Sequence, residues 1–414
     1  MKIRPDRLLA DIEALAAIGD TGDGGNCRLA LTDDDAGGRE LVVGWMRGLG
    51  LHVRVDRIGN VVATRAGVGG AGDGNGPAPV MTGSHVDTVG TGGRYDGTLG
   101  VLAGLEVVRT LDDAGIRTRR PLAVAFFTDE EGSRFAPDML GSLVYAGGMP
   151  LEDALDTVAI DGAVLGDELE RIGWAGYAAV PGPPPHAYVE LHIEQGPVLE
   201  EAGVTIGAVT GVQGISWQEL TVTGQSNHAG TTPMQLRRDS AYVAAETIGF
   251  VRRLATDLGG HQVGTVGRLD LHPDLVNVVA ARATLTVDLR NTDEAVLADA
   301  ERRLRAQVAA LSSAEGCQVA WRRLARFEPV DFDPAVIDLV ESTAERLGHS
   351  VMRLPSGAGH DAQMLARVCP TGMVFVPSRA GVSHNPAEFT EPEHLAAGAQ
   401  VLAEVLTELA GVAE

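Results

Sequence analysis

The chain has 414 residues, more than one ordinary hydrophobic core absorbs, so two or three domains are expected. Its 56 acids against 33 Lys and Arg leave a formal charge of -23, a surface that repels phosphate backbones and excludes nucleic acid as a partner. No run approaches the roughly 20 apolar residues of a membrane span. Cys27, Cys317 and Cys369 lie far apart without CxxC spacing, so neither a disulfide framework nor a thiolate zinc site is indicated, and a cytoplasmic protein is expected.

At the start, MKIRPDRLLADIEALAAIG carries Leu8, Leu9, Ile12 and Leu15 at helical spacing, with acids interrupting every apolar run and no signal-peptide core. The strand-like NVVATR is followed by Gly67, Gly69 and Gly72, which satisfy G-x-G-x-x-G. A dinucleotide fingerprint needs a helix next, whereas DGNGPAP follows, so residues 66–79 are expected to form a flexible surface loop between two strands. PVMTGSHVD, GVLAGLEVVRTLDDAG and PLAVAFFTD then read as strand, helix and strand, the rhythm of an α/β sheet covered by helices.

From residue 213 to 327 the texture changes. WQELTVTG reads as a strand, MQLRRDSAYVAAETIGFVRRLATDLG as a helix, HQVGTVGRLDLHP and NVVAARATLTVDLR as strands, DEAVLADAERRLRAQVAAL as a helix and CQVAWRRLA as a strand. The order βαββαβ predicts a ferredoxin-like α+β domain. FEPVDFDPAVIDLVESTAERLG and GMVFVPS resume the earlier style, so this domain is an insertion into a discontinuous α/β domain of residues 1–212 and 328–414.

Five segments place histidines or acids at strand ends: SHVDT, GGRYDG, TDEEG, ELHIEQG and VSHNPAEF. In SHVD, His85 and Asp87 are two apart, which on an extended strand puts both on one face, where the carboxylate can support a ligating imidazole; alone, the segment fits a surface histidine equally well. Together the five supply what two divalent ions need, a bridging carboxylate with nitrogen and oxygen ligands on either side. No Ser or Cys stands in a nucleophile setting such as G-x-S-x-G, which argues against acyl-enzyme chemistry.

GSHVDTVGTGGRYDGTLGVLAGLEVV, FFTDEEGSRF, LHIEQGPVLE, SNHAGTTPM and SHNPAEFT, in uninterrupted order along nearly the whole chain, resemble the M20-type binuclear metallohydrolases. More closely they resemble the hydantoinase/carbamoylase branch of N-carbamoyl-L-amino acid hydrolases, β-ureidopropionases and allantoate amidohydrolases. The resemblance implies a mixed-sheet α/β/α catalytic domain, with residues 213–327 as a lid and dimerisation domain. It implies two divalent ions (Zn, Mn, Co or Ni), one held by His85, Asp96 and His192, the other by Asp96, Glu131 and His384, with Asp96 bridging. Asp87 would orient His85, Glu130 would be the general base, and the Asp96–Gly97 peptide would be cis. His228 would contact the transition state, usually across a homodimer interface, and Asn277 and Arg290 would clamp a substrate carboxylate. Gln195 and the backbone at Gly359 would be further contacts, and His360 would be structural rather than a ligand. The activity implied is hydrolysis of the carbamoyl C–N bond of an N-carbamoyl-L-amino acid, with allantoate amidohydrolase and β-ureidopropionase as rivals and a peptidase or non-catalytic carboxylate binder further off. Asp129 has no role beyond shaping its turn. Trp217 and Trp321 are expected to pack the insert.

Overall fold

The computed structural model describes residues 1–70 and 76–413. Two compact units are present, Met1–Gly211 with Asp331–Glu414, and Val212–Val330. Strands β1 (His52–Val55), β2 (Val61–Arg65), β3 (Val80–His85), β4 (Leu122–Phe127), β5 (Ala187–Ile193) and β6 (Ile206–Val212) come first. The second unit contributes β7 (Gly214–Thr223), β8 (Val263–His272), β9 (Arg282–Asn291) and β10 (Gln318–Phe327), after which β11 (Val330–Asp331), β12 (Val351–Ser356) and β13 (Thr371–Val376) return to the first sheet. Gly67 and Gly69 lie between β2 and β3; Gly72 lies outside the described residues.

Among the described residues the larger sheet has nine strands in the order β1-β2-β4-β3-β5-β13-β6-β11, with β12 beside β6. Its middle strands β4, β3, β5 and β13 run parallel, while β2 and β6 flank them antiparallel. All four middle strands are buried along their length, as near-continuous apolar runs such as LAVAFF require when helices cover a parallel sheet. Parallel direction gathers their carboxyl ends on one edge, where open α/β sheets hold their ligands. His85 is the last residue of β3, TDEEG begins just after β4, His192 is the penultimate residue of β5, and the SHNPAEF segment follows β13.

The second unit is a four-stranded antiparallel sheet, β10-β7-β9-β8, with two helices, Ser240–Leu258 and Glu294–Glu315. That is the ferredoxin-like order anticipated above. Asp239 and Asp293 cap the two helices by accepting amides of their first turns. Apolar residues at helical spacing (Val243, Val251, Leu297, Leu304) meet alternating strand residues (Leu220, Val222, Leu285, Val287) in one core. Two boundaries differ from expectation. The first helix starts at Ser240 instead of Met234: Met234–Leu236 form a short 3₁₀ turn that ends in extended backbone at Arg237, and Asp239 then caps the helix. Strand β9 starts at Arg282, leaving Asn277 in the preceding loop. Trp321 packs against the core, while Trp217 is exposed, with the Arg290 guanidinium over its ring. Among the described residues no helix is long and apolar enough to cross a membrane.

Candidate metal centre

At the shared strand edge three imidazoles converge on one carboxylate. Nε2 of His85 and Nε2 of His192 lie 3.6 and 3.2 Å from Asp96 Oδ1, and Nε2 of His384 lies 3.4 Å from Asp96 Oδ2. Glu131 Oε2 is 3.3 Å from His384 Nε2. Three candidate ligand groups result: His85 with Asp96 and His192, Asp96 with Glu131 and His384, and, behind the first, Glu190 with His192 and His360. Glu130 belongs to none of them, though its Oε2 stands 3.4 Å from His85 Nε2.

Two of the imidazoles are oriented as a metal requires. Nδ1 of His85 faces the Asp87 carbonyl at 2.9 Å and Nδ1 of His192 faces the Ile193 carbonyl at 2.8 Å, so each Nδ1 carries the proton and each Nε2 lone pair points inward. The backbone amide of Gly97 donates to His192 Nε2 at 3.1 Å, which confirms that this nitrogen is an acceptor. Glu131 Oε1 and Gln195 Oε1 are buried with no hydrogen-bond partner. A set made of lone pairs and carboxylate oxygens, with acceptors left over, fits divalent cations.

Two expectations are corrected here. Asp87 does orient His85, but through its backbone carbonyl; its carboxylate lies 4.0 Å from Nδ1 and instead accepts the amides of Glu130 and Glu131 at 3.4 Å each. Asp87 thus ties the His85 strand end to the turn that carries both glutamates. The Asp96–Gly97 peptide is trans, since the cis bonds among the described residues are Ala136–Pro137, Val180–Pro181 and His272–Pro273. Gly97 turns the chain by adopting φ +66, and a Cβ there would lie 2.3 Å from His85 Nε2, so glycine meets both demands.

Why Glu130 and Glu131 address one centre is answered by the turn: Asp129 at φ +56 and Gly132 at φ +60 bracket them and break the strand alternation. Asp129, Met139, Gln195 and His384 all hold positive φ without being glycine, a concentration of uncommon backbone around the site. Burial pushes the carboxyl of Glu130 well above its usual range, against the pull of His85, and raises Glu131 to about 8. Burial also raises Asp96, but His192, His384 and His85 in their protonated forms outweigh it and hold that carboxylate well below its ordinary value. His384, with half its side chain exposed, is raised to about 9, chiefly by Asp96.

Other expected contacts fall at varying places. Gln195 Nε2 donates to Asp96 Oδ2 at 2.8 Å, and Gly359 sits against Met139, whose amide bonds the Glu130 carbonyl. His360 is buried, its ring 4.5 Å from that of His192 and its Nε2 2.9 Å from Ser356 Oγ. In the second unit His228 and Asn277 are brought together: Ala229 N bonds Asn277 O, and Val279 N bonds Asn227 O. Arg290 is not with them. Eight residues of β9 separate it from Arg282, about 27 Å at ~3.4 Å per residue, and it pairs with Asp288 and lies over Trp217. Asn277 lies in the loop that leads into the Arg282 end of that strand, and Arg290 near its other end.

Sequence reasoning missed Ser383, Glu388, Glu190 and Asp361. Glu190 and His192 are two apart on β5, the same spacing that drew attention to His85 and Asp87, and Glu190 accepts Ser84 Oγ, Ala362 N and Tyr188 Oη beneath the site. Asp361 offers no spacing signal; it is buried near Glu190 and Ser142.

The model of peptidase family M20/M25/M40 matches residues 81–408. The chain belongs to this family. A protein of Rhizobium meliloti named N-carbamoyl-L-amino-acid amidohydrolase is 42% identical, covering 100% of this chain and 98% of that protein. One of Geobacillus stearothermophilus named N-carbamoyl-L-amino acid amidohydrolase is 39% identical, covering 99% of each. The solved structure of an amidase of the hydantoinase/carbamoylase family from Burkholderia multivorans superposes with a TM-score of 0.94 at 47% identity, covering 99% of this chain and 98% of that one. The mixed α/β fold and the hydantoinase/carbamoylase branch inferred from the motifs are thereby borne out.

Proposed function

We propose that this chain is a metal-dependent amidohydrolase that cleaves the terminal carbamoyl C–N bond of N-carbamoyl-L-amino acids, releasing ammonia, carbon dioxide and the free amino acid. The observation that carries the reading is the pair of ligand groups sharing Asp96 beside a glutamate, Glu130, that belongs to neither. Relatives named for this activity over their full length support the substrate class. His85, Asp96 and His192 would hold one ion and Asp96, Glu131 and His384 the other, with Zn, Mn, Co and Ni all suited to such ligands. When bound, the ions supply Lewis acidity, polarising the ureido carbonyl and acidifying water. Glu130 takes the proton of the attacking water and returns it to the leaving nitrogen, a task for which a buried carboxylate with a raised proton affinity is matched.

The second unit provides the substrate contacts. His228 Nδ1 accepts the amides of Gly230 and Thr231 at 3.1 and 3.2 Å, which leaves the proton on Nε2 as a donor for an oxyanion. His228 and Asn277 stand far along the sheet from Arg290, so the reading is a homodimer in which one copy's Arg290 and the other's His228 and Asn277 serve one substrate. Exposed Met234, Leu236, Leu271, Leu275 and Val276 close to the His228 loop, and the unpaired edge of β8, support such a partner surface. Cytoplasmic residence is supported by three free thiols.

The test is ammonia release by metal-stripped protein reloaded with Mn, Co, Ni or Zn, across N-carbamoyl-L-amino acids, N-carbamoyl-β-alanine and allantoate. Metal-dependent turnover fastest on N-carbamoyl-L-amino acids is expected. Cleavage of dipeptides with no ammonia from any ureido acid would refute the reading.

A further inference from the structure

Glu388 lies in SHNPAEF, four residues after His384, and 5% of it is exposed. Its carboxylate bonds run to the loops that carry the metal centre. Oε1 accepts the amides of Tyr95 and Asp96 at 3.0 and 3.3 Å, and Oε2 faces the Ser383 hydroxyl at 3.1 Å. Ser383 adjoins His384, and its hydroxyl is also 3.2 Å from Asp96 Oδ2. That hydroxyl has one proton and two carboxylate neighbours; once cations neutralise Asp96, Glu388 is the acceptor left to it. A Cβ on Gly93 would lie 2.2 Å from Glu388 Oε1, so the chain omits a side chain there to let the carboxylate in. His384 holds φ +53, a conformation that persists only where neighbouring structure imposes it. Resting on the two-ion reading above, we infer that Glu388 is a positioning residue for the bridging carboxylate: it ties the loop of Asp96 to the loop of His384 and fixes how far apart the two ligand groups stand.

The test titrates metal-free protein with Co²⁺, reading affinity by chelator competition and ligand geometry by the visible d–d absorption, neither of which needs turnover. Glu388→Ala is expected to bind Co²⁺ about 10–100-fold more weakly, the usual cost of losing a group that orients a ligand, with an altered band shape. Glu388→Gln keeps an oxygen for the Tyr95 and Asp96 amides and should recover most of the affinity, while Ser383→Ala should lose a few-fold and shift the spectrum. Wild-type affinity and spectrum in Glu388→Ala would overturn the inference, as would a Gln variant no better than Ala. If circular dichroism shows Glu388→Ala unfolded, Ser383→Ala decides, and an unchanged spectrum there overturns it. A wild-type protein that takes up no Co²⁺ would remove the two-ion reading and this inference with it.

Discussion

His192 and His228 present the same nitrogen in opposite states. At His192, buried to 1% exposure on a central strand, Nδ1–H is spent on a backbone carbonyl and Nε2 is left as an acceptor, met here by the Gly97 amide. At His228, exposed on a loop of the second unit, two backbone amides occupy Nδ1 and Nε2 arrives with its proton. The side chain is identical; the backbone polarity met by the rear nitrogen decides whether the front one can bind a cation or donate to an anion. The first unit thus sets its candidate ligands into a buried strand edge, and the second holds His228 on an exposed loop outside a core of ordinary apolar packing.

Removing each imidazole should separate the two states. His192→Ala is expected to lose the ion it shares with His85 and to fall to background activity, whereas His228→Ala should keep full metal content and lose about 10²–10³ in kcat, the scale for one oxyanion donor. Metal analysis beside steady-state kinetics checks both, and metal loss in His228→Ala would erase the contrast. Mixed refolding of His228→Ala with Glu130→Gln extends the test to two copies. If Nε2–H acts across the dimer, half of the dimers carry one intact site and activity returns to about a quarter of wild type; no recovery would place His228 in its own chain's site.

Glu130 and Glu131 sharpen the comparison within the first unit. Glu130→Gln should bind both ions and lose about 10³-fold in kcat, while Glu131→Gln should bind one ion fewer. A fully active Glu130→Gln enzyme would remove the base. On the second unit's side, Arg290→Ala is expected to raise KM for carboxylate substrates about 10–100-fold, from loss of charge-assisted hydrogen bonds, at unchanged metal content. An unchanged KM would refute that contact.

The first unit was legible in the sequence because its ligands sit at the ends of runs whose period announces them. TDEEG follows β4, SHVD and LHIEQG span the ends of β3 and β5, and parallel pairing collects such ends without further information. What spacing could not supply is where each carboxylate points. Asp87 was expected to use its side chain on His85 and uses its carbonyl instead, because the chain turns there and sends the carboxylate to the Glu130 and Glu131 amides. Glu388 gave no signal, since its partners are backbone amides nearly 300 residues away in sequence. In the second unit the βαββαβ order was readable from the pattern, whereas the separation of Asn277 and Arg290 follows from the length of β9, which no local motif announces.

The smallest effect concerns pH and stability. Among the described residues, several carboxylates buried in the first unit have raised proton affinities, and Asp56 lies away from the ligand groups. Burial lifts it from 3.8 to about 6, although Asn60 and the Ile58 amide bond it. The folded chain keeps this proton where the unfolded chain has released it. The contribution of Asp56 is therefore most favourable below pH ~3.8 and is lost as pH rises through about 6, a swing of at most about 3 kcal/mol. Asp56→Asn cannot titrate, so the difference in melting temperature between variant and wild type should move by a few degrees in the variant's favour from pH 4.5 to 7.5. Leu285→Ala, which opens the second unit's core, should lower the melting temperature at both pH values alike, because no titrating group is involved. A pH-independent difference for Asp56→Asn would mean that its three hydrogen bonds already compensate for burial, and that the displaced acids of the first unit are confined to the metal centre.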